Sequence, residues 1–101
     1  MPTDLKLSYT AAAILKAIAS GHRYGFEIMD AIGLPSGTVY PALRRMESSG
    51  AIGSEWESER LAQKEQRPPR KYYKLTRDGS ELLAGAEQRY RLPDFLAPKE
   101  V

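Results

Sequence analysis

The sequence predicts a mainly α-helical domain that carries one small antiparallel β-hairpin. Three observations lead there. Apolar residues recur at helical spacing in four separate segments. The period switches to strict alternation in two short runs after Gly50. Glycine or proline stands at the points where those segments should stop. A chain of 101 residues supports one compact domain and no second core.

Met1–Leu7 reads as a short leader. Ser8 or Thr10 caps a first helix reaching about Ser20, with Ala11, Ile14, Leu15 and Ile18 on one face and Gly21 as the stop. In Tyr24–Ile32 the residues Tyr24, Ile28 and Ile32 align, with Met29 beside them, and Gly33 ends the segment. Gly25 costs that helix about 1 kcal/mol relative to Ala, which predicts close approach of another backbone there. Leu34-Pro35 then turns the chain into Ser36. Two helices joined by a short Gly-containing turn form the helix-turn-helix pattern.

The third helix is expected over Ser36–Gly50, with Ser36 as N-cap and Gly50 as the residue past its end. Val39, Ala42, Leu43 and Met46 face the core; Gly37, Pro41, Arg44 and Ser48 face outward, flanked by Tyr40 and Arg45. Pro41 removes one hydrogen bond and presses its ring on the carbonyl four residues back. That residue is Gly37, whose backbone adjusts freely. A start at Pro41 with Tyr40 as cap competes with the preferred start at Ser36.

Beyond Gly50, Ile52, Ser54 and Trp56 point one way and Gly53, Glu55 and Glu57 the other. A polar loop, Ser58–Arg67, and the stiff pair Pro68-Pro69 lead to a second strand, Arg70–Leu75. Tyr73 and Leu75 share its inner face; Arg70, Tyr72 and Lys74 share the outer one. Thr76 caps a last helix with the stripe Leu82, Leu83, Ala86 and Tyr90, ending near Leu92 at Pro93. Pro93–Val101 is expected to be an irregular tail whose Phe95 and Leu96 can pack on another part of the domain. Helix, helix, helix, strand, strand, helix is the order of a winged helix-turn-helix.

Composition narrows the function. Hydrophobic residues at 42% and charged residues at 28% fit a folded soluble domain, and the absence of cysteine removes disulfides and thiolate chemistry. No apolar run reaches membrane-spanning length, and Lys16 interrupts Ala11–Ala19, so no membrane partner and a cytoplasmic location are expected. His22 is the single histidine, and no phosphate-binding glycine loop or nucleophile motif accompanies it. No enzyme, metal site or cofactor is therefore expected. Net charge is only +2, yet Arg60–Lys74 holds six basic residues and one acidic, a local +5. Such clustering suits phosphate. Hydroxyls and unpaired amides at Ser36, Gly37 and Thr38 open the third helix, where an anion is favoured. Arg44 points outward on the same side, while Arg45 is expected to pair with a neighbouring acid. Tyr72 either bonds a phosphate or shields its basic neighbours. Tyr73 belongs to the core, and Trp56 to core or dimer packing. Glu55, Glu57 and Glu59 are expected to keep the wing soluble.

The chain resembles the PadR family of transcriptional regulators, particularly its short members. Tyr24-Gly25-Phe26-Glu27-Ile28, the run Ser36–Glu47, Gly50-Ala51-Ile52 with Trp56, and Arg67–Thr76 with Gly79 carry the likeness, over roughly residues 8–83. Gln66 stands where many members have Gly, which predicts a different wing turn, and Ala51 replaces a larger aliphatic residue. The resemblance implies a homodimer on double-stranded DNA that reads an inverted-repeat operator, usually as a repressor. It implies contacts from Ser36, Gly37, Thr38, Tyr40, Arg44, Arg70 and Lys71, with the first and last helices forming the dimer. Residues 1–92 would form the DNA-binding domain and residues 93–101 the tail. Some relatives release DNA to a planar aromatic effector, for which no residue here is matched. The apolar surface expected on the first and last helices also favours a second copy. The alternative is a winged-helix protein-interaction module with residual or no DNA binding.

Overall fold

The computed structural model describes residues 7–95. The elements run α1 (Tyr9–Ala19), α2 (Gly25–Ile32), α3 (Ser36–Ser48), β1 (Ile52–Trp56), α4 (Glu59–Lys64), β2 (Lys71–Leu75) and α5 (Arg77–Glu87). The mainly helical class with one antiparallel hairpin is as expected. The wing loop differs, because a six-residue helix, α4, occupies part of the expected polar loop. Ser58 caps it by accepting from the Leu61 amide at 3.1 Å.

Helix α1 is the centre of the core. Ala12, Ala13, Ile14, Leu15, Ala17 and Ile18 are all buried, and α2, α3, α5 and β2 pack around it. Its alanines let neighbours approach from several sides at once. Ser8, of the two candidate caps, accepts from the Ala11 amide. Helix α3 runs unbroken through Pro41 from Ser36, which excludes a start at Pro41. The N-cap is Pro35 and not Ser36: Ser36 is already helical, and the Pro35 carbonyl accepts from Thr38 and Val39 at 3.0 Å. Gly33 and Gly50 take positive φ, +71° and +86°, as helix-ending residues.

Strands β1 and β2 pair antiparallel, from Ile52 opposite Leu75 to Trp56 opposite Lys71. On its other edge β2 meets the turn before α2: the Tyr73 amide donates to the Arg23 carbonyl at 2.7 Å, and Tyr24 bridges Tyr72. Tyr73 is buried, as expected. Trp56 is not: it is 65% exposed, because β1 runs outward past the three-helix body and its burial fades along the strand. Gln66 takes φ +58°, the left-handed conformation for which glycine is the default residue.

Thr76 caps α5 through the Gly79 amide, and its hydroxyl also donates to the Gly50 carbonyl at 2.6 Å. The helix stops at Glu87, before the expected end near Leu92. The Arg89 and Tyr90 amides both turn back to the Ala86 carbonyl. This lets the Tyr90 hydroxyl donate to the Leu7 carbonyl at 2.7 Å while its ring packs edge-on against Tyr9. Phe95 packs against the core; Leu96 and the rest of the expected tail lie outside the described residues. Part of the apolar surface expected on the first and last helices is covered within the chain. Among the described residues the exposed large apolar side chains are Tyr9, Phe26, Tyr40, Trp56 and Leu61, and only Tyr9 lies on α1 or α5. The two helices cover each other, and Lys16 joins Glu87 across them at 2.8 Å.

Gly79 is fixed by contact, since a Cβ there would overlap the Ala51 carbonyl oxygen, whereas Gly85 on the same helix faces open space. Gly79→Ala should lower unfolding stability by about 1–3 kcal/mol as α5 is forced off Ala51. Gly85→Ala should raise it by roughly 0.5–1 kcal/mol through helix propensity. Urea denaturation of the two variants checks both signs.

Candidate nucleic-acid interface

The outer side of α3 presents the expected contacts together. Ser36, Gly37, Thr38, Tyr40 and Arg44 are exposed, while Val39, Ala42, Leu43 and Met46 on the opposite side are buried. The helix spacing that buries one set forces the other outward. Arg44 and Arg45 line an open depression with Pro41, Ser48 and Ser49. Arg45 has no acidic partner among the described residues, contrary to expectation.

Tyr40 has a platform. A Cβ at Gly25 would overlap its ring and hydroxyl, so the aromatic side chain of α3 lies across the first residue of α2. The close approach predicted at Gly25 is therefore made by a side chain and not by a backbone. The close spacing of α2 against α3 at this point depends on the absence of a side chain at Gly25.

The hairpin cations divide into two groups. Arg67 is engaged with Glu57, its Nη2 donating to Oε2 at 2.9 Å. Arg70 stacks on the Tyr24 ring, 4.0 Å from its centroid. Lys71 Nζ stands 3.4 Å from Glu47 on α3 and 5.8 Å from the Trp56 ring. Arg60, Lys64 and Lys74 are exposed and carry no ion pair among the described residues. Tyr72 is half-buried; its hydroxyl donates to Glu57 Oε2 at 3.2 Å and its ring meets Tyr24 edge-on. Of the three candidate wing contacts, then, Arg70, Lys71 and Tyr72 all hold partners within the protein.

Glu57 is the residue that sequence reasoning misread. It does not simply keep the wing soluble. Its side chain is 3% exposed and accepts from both Arg67 nitrogens, from the Arg70 amide at 3.2 Å and from Tyr72. Its own amide donates to the Arg70 carbonyl at 2.8 Å, closing the loop that contains α4. The Arg67 guanidinium, then the Arg70 amide and the Tyr72 hydroxyl, hold its carboxyl down to about 2 against the opposing effect of burial. No local pattern in the sequence marks this, because its partners lie ten to fifteen residues away. Glu47 plays a similar part between α3 and the hairpin. The Ser54 hydroxyl donates to it, and that bond, followed by Lys71, lowers its pKa. His22, the sole histidine, is buried behind α1. No group of three or more potential metal ligands occurs among the described residues, and no helix there is long and apolar enough to cross a membrane.

Residues 14–85 match the family model of the transcriptional regulator PadR-like family. The structure is similar to that of a PadR family transcription regulator from hypervirulent Clostridium difficile, at 32% identity and a TM-score of 0.72, covering 83% of this chain and 88% of that one. It is similar to a transcriptional regulator from Clostridium thermocellum, at 26% identity and a TM-score of 0.68, covering 80% and 81% of the two chains. A PadR-like transcriptional regulator from Bacillus cereus matches at 28% identity and a TM-score of 0.66, with 79% of each chain covered. No curated protein matches the sequence.

The Glu57 knot makes a pH prediction. Because its folded pKa lies below the usual 4.5, its contribution is complete above about pH 4.5 and is lost as pH falls toward 2. Glu57→Gln should therefore be less stable than the parent at pH 6 to 7, and the gap should close near pH 2. Urea midpoints across that range give the test; a gap independent of pH would contradict the knot.

Proposed function

The chain belongs to the PadR-like family of transcriptional regulators, and from that premise we propose that it is a cytoplasmic repressor that binds an inverted-repeat operator as a homodimer and has no catalytic activity. The observation that carries the reading is the outward display of Ser36, Gly37, Thr38, Tyr40 and Arg44 along one side of α3. Hydroxyls and amides at the helix start suit phosphate, and Arg44 one turn on suits either a phosphate or a guanine edge. In the dimer the two α3 helices enter successive major grooves about 34 Å apart. Residues 1–92 supply the DNA-binding domain, α1 and α5 the contact between copies, and residues 93–101 a tail.

The hairpin lies beside the recognition helix through Glu47 and Lys71. Lys71 exchanges its ion pair with Glu47 for a phosphate when DNA arrives, and Arg70 and Tyr72, set against Tyr24, add further contacts from the hairpin.

Fluorescence anisotropy against genomic fragments at several salt concentrations, with light scattering for mass, tests the proposal. The expected result is salt-dependent binding by a dimer; a monomer without it would reassign the fold to docking of a protein partner. Arg44→Ala should weaken operator binding by about 1–3 kcal/mol if Arg44 reads a base, with a smaller loss on random DNA. Lys71→Ala should lower the salt slope of binding by about 1, and an unchanged slope would show Lys71 staying with Glu47.

A further inference from the structure

We propose that residues 88–95, which fold back along α1, form an autoinhibitory strap: they hold the α1–α5 contact between copies closed, and a second copy displaces them as α5 lengthens toward Leu92. The inference rests on the homodimer reading and adds how that contact is regulated.

The strap occupies a particular side of α1. Helical spacing puts Tyr9, Ala12, Ala13 and Lys16 opposite Ile14, Leu15 and Ile18. With the large aliphatic residues turned into the core, that side should face solvent, yet Ala12 and Ala13 are 0% and 5% exposed. The chain after α5 touches both of its ends. At one end the Tyr90 hydroxyl donates to the Leu7 carbonyl at 2.7 Å, its ring meets Tyr9 edge-on, and the Tyr9 hydroxyl donates to the Arg91 carbonyl at 3.4 Å. At the other end Lys16 Nζ lies 2.8 Å from Glu87 and 3.7 Å from Asp94. Tyr9 to Lys16 spans about 10 Å of helix, which the three steps from Arg91 to Asp94 match when extended. Leu92 and Phe95 of the same segment pack against the core.

The strap is lightly fastened. Asp94 is 97% exposed, so its ion pair with Lys16 contributes little. Tyr9 is also exposed, and its bond to Arg91 is long. The firm clasp is the Tyr90 hydroxyl on Leu7.

The segment also has a second conformation within reach. Residues 88–92 read Gln-Arg-Tyr-Arg-Leu, with no glycine, proline or β-branched residue, and Pro93 is the first local stop. Helix α5 nevertheless ends at Glu87, where the Arg89 and Tyr90 amides turn back to the Ala86 carbonyl. Contacts with α1 end the helix there, not the local sequence. A helix running on to Leu92 cannot also turn back along α1, so lengthening α5 and uncovering Ala12 and Ala13 are one event. The uncovered side carries two alanines, which admit a second helix closely. A second copy brings the same pair about a two-fold axis.

The test is sedimentation equilibrium of the full chain, its Tyr90→Phe variant and its Gln88→Gly variant over a wide concentration range. Tyr90→Phe keeps the ring beside Tyr9 and removes the clasp, so each strap should open about fivefold more readily. Two straps open per dimer, so the dimer dissociation constant should fall about 25-fold. General damage to the fold would loosen the dimer instead. Gln88→Gly disfavours the longer helix and should raise the constant several-fold. Hydrogen exchange reads the switch directly: the Arg91 and Leu92 amides should gain protection in the dimer. An unchanged or looser dimer in Tyr90→Phe overturns the proposal, and so does equal exchange of those two amides in monomer and dimer. If the parent and Tyr90→Phe both stay monomeric at every concentration, the homodimer reading itself falls and takes the strap's role with it, an outcome distinct from the other two.

Discussion

A backbone hydrogen bond, from the Tyr73 amide to the Arg23 carbonyl, joins the hairpin to the helix-turn-helix. It makes the turn before α2 a third strand-like neighbour of β2, so the wing has two paired edges at its base and only one beyond it. Around this bond the aromatic rings of Tyr24 and Tyr72 meet, Arg70 stacks on Tyr24, and the Tyr73 side chain enters the core. A two-stranded hairpin alone is marginal in water. Docked at this point, the base of the hairpin becomes part of the body.

The second constraint is electrostatic. A local excess of positive charge destabilises a compact state through self-repulsion, and the wing relieves it by pairing selected cations internally. Glu57 takes Arg67 in a nearly buried site and uses its remaining capacity on the Arg70 amide and the Tyr72 hydroxyl. Breaking such a buried pair from one side strands a charge, so the knot specifies the loop conformation more than it adds affinity for anything outside. Glu47 links the last turn of α3 to both strands by the same logic, through Ser54 and Lys71. The charges left over are those pointing away from the body.

Close contacts at two points of the domain depend on glycine. Gly25 admits the Tyr40 ring, and Gly79 admits the Ala51 carbonyl. Pro41 sits within α3 without interrupting it. The carbonyl it leaves unpaired belongs to Gly37, which lies in open space at the exposed helix start. Interior close packing on one side and freedom on the other let a helix with a proline in its second turn stay continuous.

Helix periods and several caps and stops were legible in the chain because they are local: Thr76 as a cap, Ser8 as one of two candidates, Gly33 and Gly50 as ends, and the buried stripe of Val39, Ala42, Leu43 and Met46 follow from spacing within a few residues, whereas the cap at Pro35 and the early stop of the last helix did not. The outward set on α3 was legible for the same reason, being what remains once the stripe is buried. What adjoins that set was not. Alternation placed Trp56 on the inner face, but only the tertiary structure shows the core ending before it. Composition counted six cations between Arg60 and Lys74 without showing that Arg67 and Lys71 are paired and Arg70 is stacked. Those partners lie on other elements or ten and more residues away, and α4 itself breaks an otherwise polar run. Periodicity reports which side of an element is apolar; only the packed chain decides how far the core extends and which charges it leaves for a partner.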